Sequence, residues 1–188
     1  AIPDLLQSPQ TTIPAVDAGL GLLSTISLER RLGSSSHWSY FFSAAADFIV
    51  ILPGASLQDL AATATVAPAD TAALIRYWLT YDIFQLGRPE RNPARAAYWT
   101  RVYDDAGGAG RMVSYAAPVY DGGQFRGIVG TDILLSTFDR VLQHMEQPIG
   151  LLAIIDDHGE VVGVNGVAFS GDEQQMRAHV AAIDTPRR

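Results

Sequence analysis

The sequence contains no cysteine, no lysine and no long apolar run. The missing cysteine excludes disulfide bonds and metal sites built on thiolates, but it leaves the cellular compartment open. No stretch approaches the roughly 18 apolar residues of a membrane-spanning helix, and we recognise no signal peptide. With 20 acidic residues against 13 arginines, the net charge of −7 argues against nucleic acid or an anionic membrane surface as a partner.

Recognisable catalytic motifs are also missing. We find no P-loop, no GxGxxG before a helix, no HExxH and no GxSxG. The Gly-rich segment 107–110 joins two strand-like runs, so we interpret it as a hairpin loop and not as a phosphate-binding loop. A triad of Ser114, His37 and Asp132 can be written down, but no pattern supports it. We therefore expect no catalytic residues, no cofactor and no metal, because the four histidines lack ligand spacing: His37, His144, His158 and His179.

The most informative stretch lies between residues 98 and 135. Three runs rich in β-branched and aromatic residues, at 98–103, 111–120 and 124–133, are separated by two Gly-rich turns. Asp-Gly and Gly-Gly between such runs are strong hairpin signals, because these residues tolerate positive φ. The stretch therefore predicts three consecutive antiparallel strands.

The rest of the chain predicts helices and two further hairpins. Apolar residues recur at helical spacing from Pro14 to Gly33, which predicts a long N-terminal helix. Ser56 with Asp59, and Ser136 with Asp139, resemble capping boxes that open helices. The remaining predicted elements are strands 37–42 and 47–52, a helix that starts at Pro68, a polar loop 86–97, a hairpin 149–164 and a helix-forming polar tail 170–188.

In order and spacing, these features resemble the double Cache (PDC-type, PAS-like) sensor domains of bacterial signalling proteins. The resemblance covers roughly residues 15–165. It rests on short motifs that are fairly specific only when taken together: Trp38-Ser39-Tyr40-Phe41-Phe42, Asp47-Phe48-Ile49-Val50-Ile51 with Pro53, Asn92-Pro93, Tyr98-Trp99-Thr100, Val102-Tyr103, Met112-Val113-Ser114, Ala117-Pro118-Val119-Tyr120, Gly127-Ile128-Val129-Gly130 and Asp132.

The resemblance implies an α+β fold. We expect a PAS-like antiparallel five-stranded sheet flanked by helices, preceded by the long N-terminal helix, with part of a second PAS-like module at the C-terminus. The predicted division is a membrane-distal module at residues 1–147 and a partial membrane-proximal module at 148–188. Since the sequence does not begin with Met, we interpret it as an excised segment. The resemblance implies that this segment is the extracytoplasmic, periplasmic portion of an inner-membrane protein, flanked by transmembrane helices.

The resemblance also suggests ligand-binding residues. In relatives that bind amines or amino acids, an Asp at the place of Asp132 holds the ligand's ammonium group. Tyr98 and Trp99 match a pair that lines the pocket.

Asp132 also shares a strand face with Ile128 and Gly130, where a carboxylate is costly unless it is paired. Because Gly130 has no side chain, we expect room beside this carboxylate. We add Tyr115 on the middle strand, and we expect Trp99, Tyr115 and Asp132 to converge on one cavity, with Tyr98 or Arg95 at its rim.

The amino-acid-binding relatives have an arginine where this chain has Ala96, which weakens the case for an amino acid. The alternative is ordinary core packing for Tyr98 and Trp99, and core or dimer packing for Tyr115. For Asp132, the alternative is that it accepts hydrogen bonds from nearby backbone groups.

Three functions compete at this stage. The first is a sensor that binds a small molecule (an amine, an amino acid or a carboxylate) and relays a conformational change across the membrane. Its parent would be a histidine kinase, a diguanylate cyclase or a chemoreceptor. The second is a structural or dimerisation module with a degenerate pocket, in which a homodimer would form. The third is a small hydrolase, which needs a nucleophile and base that the sequence does not offer.

Overall fold

The computed structural model describes residues 36–145 and 152–165, together with Gly19, Gly21, Leu22 and Arg177. Strands and helices come in blocks along these parts of the chain. In chain order they are β1 (Ser39–Ser43), β2 (Ile49–Leu52), α1 (Leu57–Ala64), α2 (Thr71–Trp78), α3 (Asp82–Gln85), β3 (Tyr98–Trp99), β4 (Tyr103–Asp104), β5 (Arg111–Asp121), β6 (Gln124–Leu134), α4 (Leu135–Gln143), β7 (Ala153–Ile155) and β8 (Val161–Val164). The chain divides into two compact units, of residues 1–101 with 114–133 and of residues 102–113 with 134–188.

The first unit is built on an antiparallel sheet with the strand order β2-β1-β6-β5-β3. Phe41 of β1 is opposite Val50 of β2 on one side and Val129 of β6 on the other. The order follows from two hairpins, β1–β2 and β5–β6, since the first strand of one pairs with the second strand of the other. The predicted α+β fold with an antiparallel sheet is therefore confirmed.

The two faces of this sheet carry different side chains, because successive residues of a strand point to opposite sides. One face, which we call the core face, carries Tyr40, Phe42, Ala116 and Ile128. These residues pack with Ile83 and Phe84 of α3 in one buried cluster. Burying each large apolar side chain contributes about 1.5–3 kcal/mol, so this cluster holds the helices onto the sheet.

The predicted first strand, 98–103, is interrupted. Residues 98–99 form β3 and residues 103–104 form β4, and both pair with β5. Between them, the backbone N–H of Thr100 still donates to the carbonyl of Ser114 (2.9 Å). The N–H of Ser114, however, donates to the Thr100 side-chain oxygen (2.9 Å). A side chain thus takes the place of a backbone acceptor, and the regular ladder ends there.

Helix boundaries test the capping predictions. Ser56 accepts from the N–H of Asp59 (3.1 Å), as predicted, and opens α1. The second helix begins at Thr71 with Asp70 as its N-cap, three residues after the predicted start at Pro68. The cap predicted at Ser136 is wrong, because the N-cap of α4 is Leu134, two residues earlier, and its side chain makes no capping hydrogen bond. The four-residue helix α3 was not predicted; it lies within a segment rich in turn residues.

The second unit contains α4 and the hairpin β7–β8, which was predicted. Its core cluster combines Val113, Leu135 and Val162, with Phe138 and Ile154 packed against them. Most of the predicted N-terminal helix and of the polar tail 170–188 lies outside the described residues. Gly19, Gly21, Leu22 and Arg177 are helical. The predicted modules 1–147 and 148–188 stay a prediction.

Candidate functional site

A buried group of polar side chains surrounds Asp132 in the first unit. Asp132 is only 5% exposed. Its Oδ1 accepts a hydrogen bond from the phenol of Tyr40 (2.6 Å) and another from the hydroxyl of Ser114 (2.6 Å). Tyr40 is 4% exposed and Ser114 is completely buried. We call these three residues the Asp132 cluster.

Three adjacent strands bring the Asp132 cluster together. Tyr40 lies on β1, Asp132 on β6 and Ser114 on β5, and β6 runs between the other two. The backbone holds Asp132 as well: its N–H donates to the carbonyl of Trp38 (2.8 Å), and its carbonyl accepts from the N–H of His37 (2.7 Å). The carboxylate is therefore placed by the sheet itself and not by a loop, which favours a rigid recognition group.

The space beside Asp132 is more densely packed than the sequence suggested. Gly130 was expected to leave room next to the carboxylate. A methyl group at Gly130 would instead lie 2.9 Å from Cε2 of Tyr40, and 3.3 Å from both Ala116 Cβ and Ile83 Cδ1. Neighbouring side chains already fill the volume that this glycine leaves, so that expectation is wrong.

Tyr98 lies on the core face beside α3. Its hydroxyl donates to the backbone carbonyl of Ile83, which ties β3 to that helix. Burial raises the pKa of Tyr98 well above its ordinary value of 10.0, because the charged phenolate is poorly solvated there. A side chain at Gly87 would collide with Tyr98 and Ile128. Tyr98 is thus part of the wall that covers this face.

Trp99 and Tyr115 do not join the Asp132 cluster. They are a directly opposed pair on β3 and β5, with ring centroids 4.8 Å apart. Their neighbours Tyr98 and Ala116 lie on the core face, so Trp99 and Tyr115 lie on the opposite face. They are 52% and 43% exposed. The expected convergence of these two aromatic residues with Asp132 on one cavity is therefore wrong.

Arg95 also lies away from Asp132. Its guanidinium carbon is 4.0 Å from the ring centroid of Tyr120. Tyr120 lies six residues beyond Ser114 on β5, so their Cα atoms are separated by about 20 Å at the usual rise of a strand. The expectation that Arg95 borders the pocket at Asp132 does not agree with this geometry.

Sequence reasoning missed Tyr40 as a partner of Asp132. Tyr40 is 92 residues away in the chain. The pairing of β1 with β6 brings the two together, and nothing in the sequence indicates that register. The Ser114 hydroxyl donates directly to Asp132 and not through an imidazole, so the arrangement differs from a Ser/His/Asp relay. Within the described parts of the chain, no group of three or more His, Asp or Glu residues is placed to hold a metal ion.

Comparisons with known proteins agree with the fold. Residues 69–140 match the family described as "Methyl-accepting chemotaxis protein-like, first PDC sensor domain". The resemblance to PDC-type sensor domains is thus confirmed. No curated protein is significantly similar to the chain. Among the described residues, no helix is long and apolar enough to cross a membrane.

Two similar solved structures are ligand-binding domains of chemoreceptors. The first is that of Pseudomonas aeruginosa PAO1 PctB in complex with L-Arg, with a TM-score of 0.55 and 17% identity over 87% of this chain and 59% of that one. The second is that of Pseudomonas fluorescens CtaA in complex with L-serine, with a TM-score of 0.53 and 19% identity over 79% of this chain and 56% of that one. The chain thus corresponds to little more than half of either structure.

Proposed function

We propose that this chain is the extracytoplasmic sensor segment of a membrane-bound bacterial signalling receptor, which binds a small molecule at Asp132 and relays a conformational change across the membrane. The observation that carries the proposal is the buried carboxylate of Asp132, held by Tyr40 and Ser114 on the central strands of a PDC-type fold. Burying a carboxylate is expensive, so a buried one on an apolar sheet face is a candidate binding group.

The chemistry of Asp132 favours a ligand with a cationic or hydrogen-bond-donating end. The two similar domains were solved with L-serine and L-arginine, which both carry an α-ammonium group. An α-amino acid carries its carboxylate on the same carbon. Asp132 and Arg95 are too far apart to hold both groups, so Arg95 does not supply the second contact. We therefore propose an amine, or an amino acid whose carboxylate is held by other donors.

Binding of a ligand at Asp132 would also change the conformation of the protein, which a sensor requires. Ile83 of α3 lies above Gly130, and the Tyr98 hydroxyl holds the Ile83 carbonyl. A ligand that reaches Asp132 must displace this packing, so bound and unbound states would differ in the position of α3. A ligand that prefers one of two arrangements shifts their populations, which is the minimal mechanism of a sensor. The family description favours a chemoreceptor as the parent protein over the kinase or cyclase.

One observation favours the alternative, a structural or dimerisation module with a degenerate pocket. The space at Gly130 is filled, and position 96 lacks the arginine of the amino-acid-binding relatives. In that case the Asp132 cluster would only join three strands. The two functions differ in one respect: only the sensor is stabilised by a ligand that Asp132 contacts.

A thermal-shift screen against amines, amino acids and carboxylates tests the proposal. A ligand at about 100 times its dissociation constant stabilises the folded protein by about 2.7 kcal/mol. Asp132→Asn should remove that shift, since it keeps the shape but removes the charge. Asp157→Asn is the matched control, because the Asp157 side chain is 90% exposed. An amine or amino acid that stabilises Asp132→Asn as much as the parent protein would refute the assignment, and a screen in which no amine or amino acid stabilises the protein would favour the structural module.

A further inference from the structure

A second group of residues lies at the far end of the core face and has no role in the proposed function. Phe84, Phe125 and Tyr120 form a row, with ring centroids 6.4 Å and 5.6 Å apart. An arginine covers each end. The guanidinium carbon of Arg88 is 6.0 Å from the Phe84 ring, and that of Arg95 is 4.0 Å from the Tyr120 ring. We call this group the Arg95 platform.

Arg95 is exposed, but the Tyr120 ring contacts its side chain and hydrogen bonds of Asn92 hold its loop. A guanidinium above an aromatic ring gains cation–π attraction of about 0.5–1 kcal/mol at an exposed site. The backbone of the loop is held by Asn92, whose side chain donates to the carbonyl of Ala96 (2.7 Å) and accepts from its N–H (3.0 Å). Arg95 itself has a φ of 55°, which is uncommon for a residue other than glycine.

The charge of Arg95 is not balanced in the way that the neighbouring charges are. Arg88 lies 3.6 Å from Glu90, and Arg126 lies 3.3 Å from Asp121. Within residues 36–145 and 152–165, no carboxylate pairs with Arg95 and no acceptor bonds its guanidinium. Its guanidinium carbon lies over the Tyr120 ring, and none of the described residues accepts from the guanidinium N–H groups.

We propose that Arg95 and Tyr120 form a second binding site, which takes a small carboxylate with an apolar body. The planar fork of a guanidinium matches the two oxygens of a carboxylate, and the two parallel hydrogen bonds are charge-assisted. Tyr120 and the half-buried Phe125 offer an apolar surface beside that fork. An aromatic or aliphatic acid could thus bond to Arg95 while its body covers these rings.

This site is independent of the one at Asp132. About 20 Å of β5 separates Tyr120 from Ser114, so a small acid on the Arg95 platform does not reach the Asp132 cluster. The two sites also select opposite charges. The carboxylate site can therefore exist whether or not Asp132 binds a ligand, and separate variants distinguish the two.

Titration with benzoate, followed through the arginine Nε–Hε signals in NMR spectra, tests the proposal. Benzamide, which has nearly the same shape without the charge, is the matched neutral probe. We expect the Arg95 signal, identified by its loss in Arg95→Gln, to shift and saturate with benzoate but not with benzamide. Arg95→Lys keeps the charge but loses the fork, and it should weaken the affinity roughly tenfold or more, as expected for charge-assisted hydrogen bonds.

Two control variants sharpen the test. Arg91→Gln removes the same charge from the same loop, and Asp132→Asn removes the carboxylate of the other site. Both should leave the benzoate affinity within twofold of the parent value, whereas Tyr120→Leu should weaken it. The proposal is overturned by a response that does not saturate, by equal responses to benzoate and benzamide, by an equal loss in Arg91→Gln, or by a loss in Asp132→Asn.

Discussion

Asp132 and Asp139 are both largely buried aspartates, seven residues apart in the sequence, but they have different partners. Asp132, in the first unit, accepts from two neutral hydroxyl groups, those of Tyr40 and Ser114. Asp139, in the second unit, pairs with the guanidinium of Arg177 at 2.9 Å and accepts from the N–H of Val164 at 2.7 Å. Arg177 also donates to the carbonyl of Val161 (3.2 Å).

Different groups orient the two carboxylates in their units. An arginine neutralises a carboxylate and orients it at the same time, so Asp139 is explained by the fold: it joins α4 to the β7–β8 hairpin and to Arg177. Hydroxyl groups also orient a carboxylate. At Asp132 the hydroxyl groups of Tyr40 and Ser114 fix the position of Oδ1 within the sheet, which suits a rigid recognition group.

The comparison is tested most severely by Asp139→Asn. This change leaves the Arg177 guanidinium, only 5% exposed, without its carboxylate partner. Breaking a buried ion pair from one side typically costs 3–5 kcal/mol, and we expect a loss of about 3 kcal/mol in the free energy of unfolding. Urea denaturation followed by circular dichroism measures it. Asp157→Asn is the control. If Asp139→Asn lowered the free energy of unfolding by less than Asp132→Asn does, the comparison between the two aspartates would be reversed.

Gly87→Ala tests how closely the region around Tyr98 is packed. The added methyl group would collide with Tyr98 and Ile128, so we expect destabilisation of about 1–3 kcal/mol, the usual range for overpacking. Gly54→Ala is the matched control, since a methyl group at Gly54 would meet nothing within 4 Å. Equal unfolding midpoints for the two variants would show that the side chains of Tyr98 and Ile128 move aside at little cost in free energy.

Asp132→Asn should have a smaller effect on stability than Asp139→Asn. The asparagine oxygen can still accept from Tyr40 or Ser114. We expect a loss of about 1–2 kcal/mol, the range for weakening hydrogen bonds to a charged group. The same urea experiment measures it. A loss as large as that of Asp139→Asn would make Asp132 a structural residue of the same kind.

Tyr98→Phe should have the smallest effect. It removes the hydrogen bond to the Ile83 carbonyl, at about 1 kcal/mol. Because burial raises the pKa of Tyr98, the folded protein favours the neutral phenol. The stability that the neutral Tyr98 phenol contributes to the folded protein is therefore complete below pH 10.0. This stability is lost as the pH rises from 10.0 through the raised pKa of Tyr98 in the folded state. Melting temperatures in alkaline buffers should fall less steeply for Tyr98→Phe than for the parent protein, whereas parallel curves would contradict this assignment.

Local signals predicted the parts of the fold that local chemistry decides. The turn at Gly122-Gly123 and the hairpin β7–β8 follow from residues that tolerate positive φ, and Ser56 caps α1 as its spacing indicates. Local signals failed where a distant partner decides the outcome. Asp139 was predicted as part of a helix cap, but it is bound by Val164 and Arg177, which lie 25 and 38 residues away.

The candidate site was harder to predict for the same reason. Asp132 could be identified because a carboxylate on an apolar strand is unusual. Trp99 and Tyr115 were also assigned to this site. They directly neighbour Tyr98 and Ala116, which lie on the core face, so strand alternation places Trp99 and Tyr115 on the opposite face. Arg95 was chosen because it directly precedes Ala96, the position at which the amino-acid-binding relatives have an arginine. The contact of Arg95 with the Tyr120 ring depends on the loop that Asn92 holds, and the Asn92-Pro93 motif does not indicate this contact.

A crystal structure of the protein with an amine or amino acid from the thermal-shift screen tests the central claim most directly. The account predicts that the ligand's ammonium or other donor group lies within hydrogen-bond distance of the Asp132 carboxylate, with Ile83 and α3 displaced from their present positions. A ligand bound elsewhere, with the Asp132, Tyr40 and Ser114 hydrogen bonds unchanged, would contradict it and leave Asp132 as a structural residue.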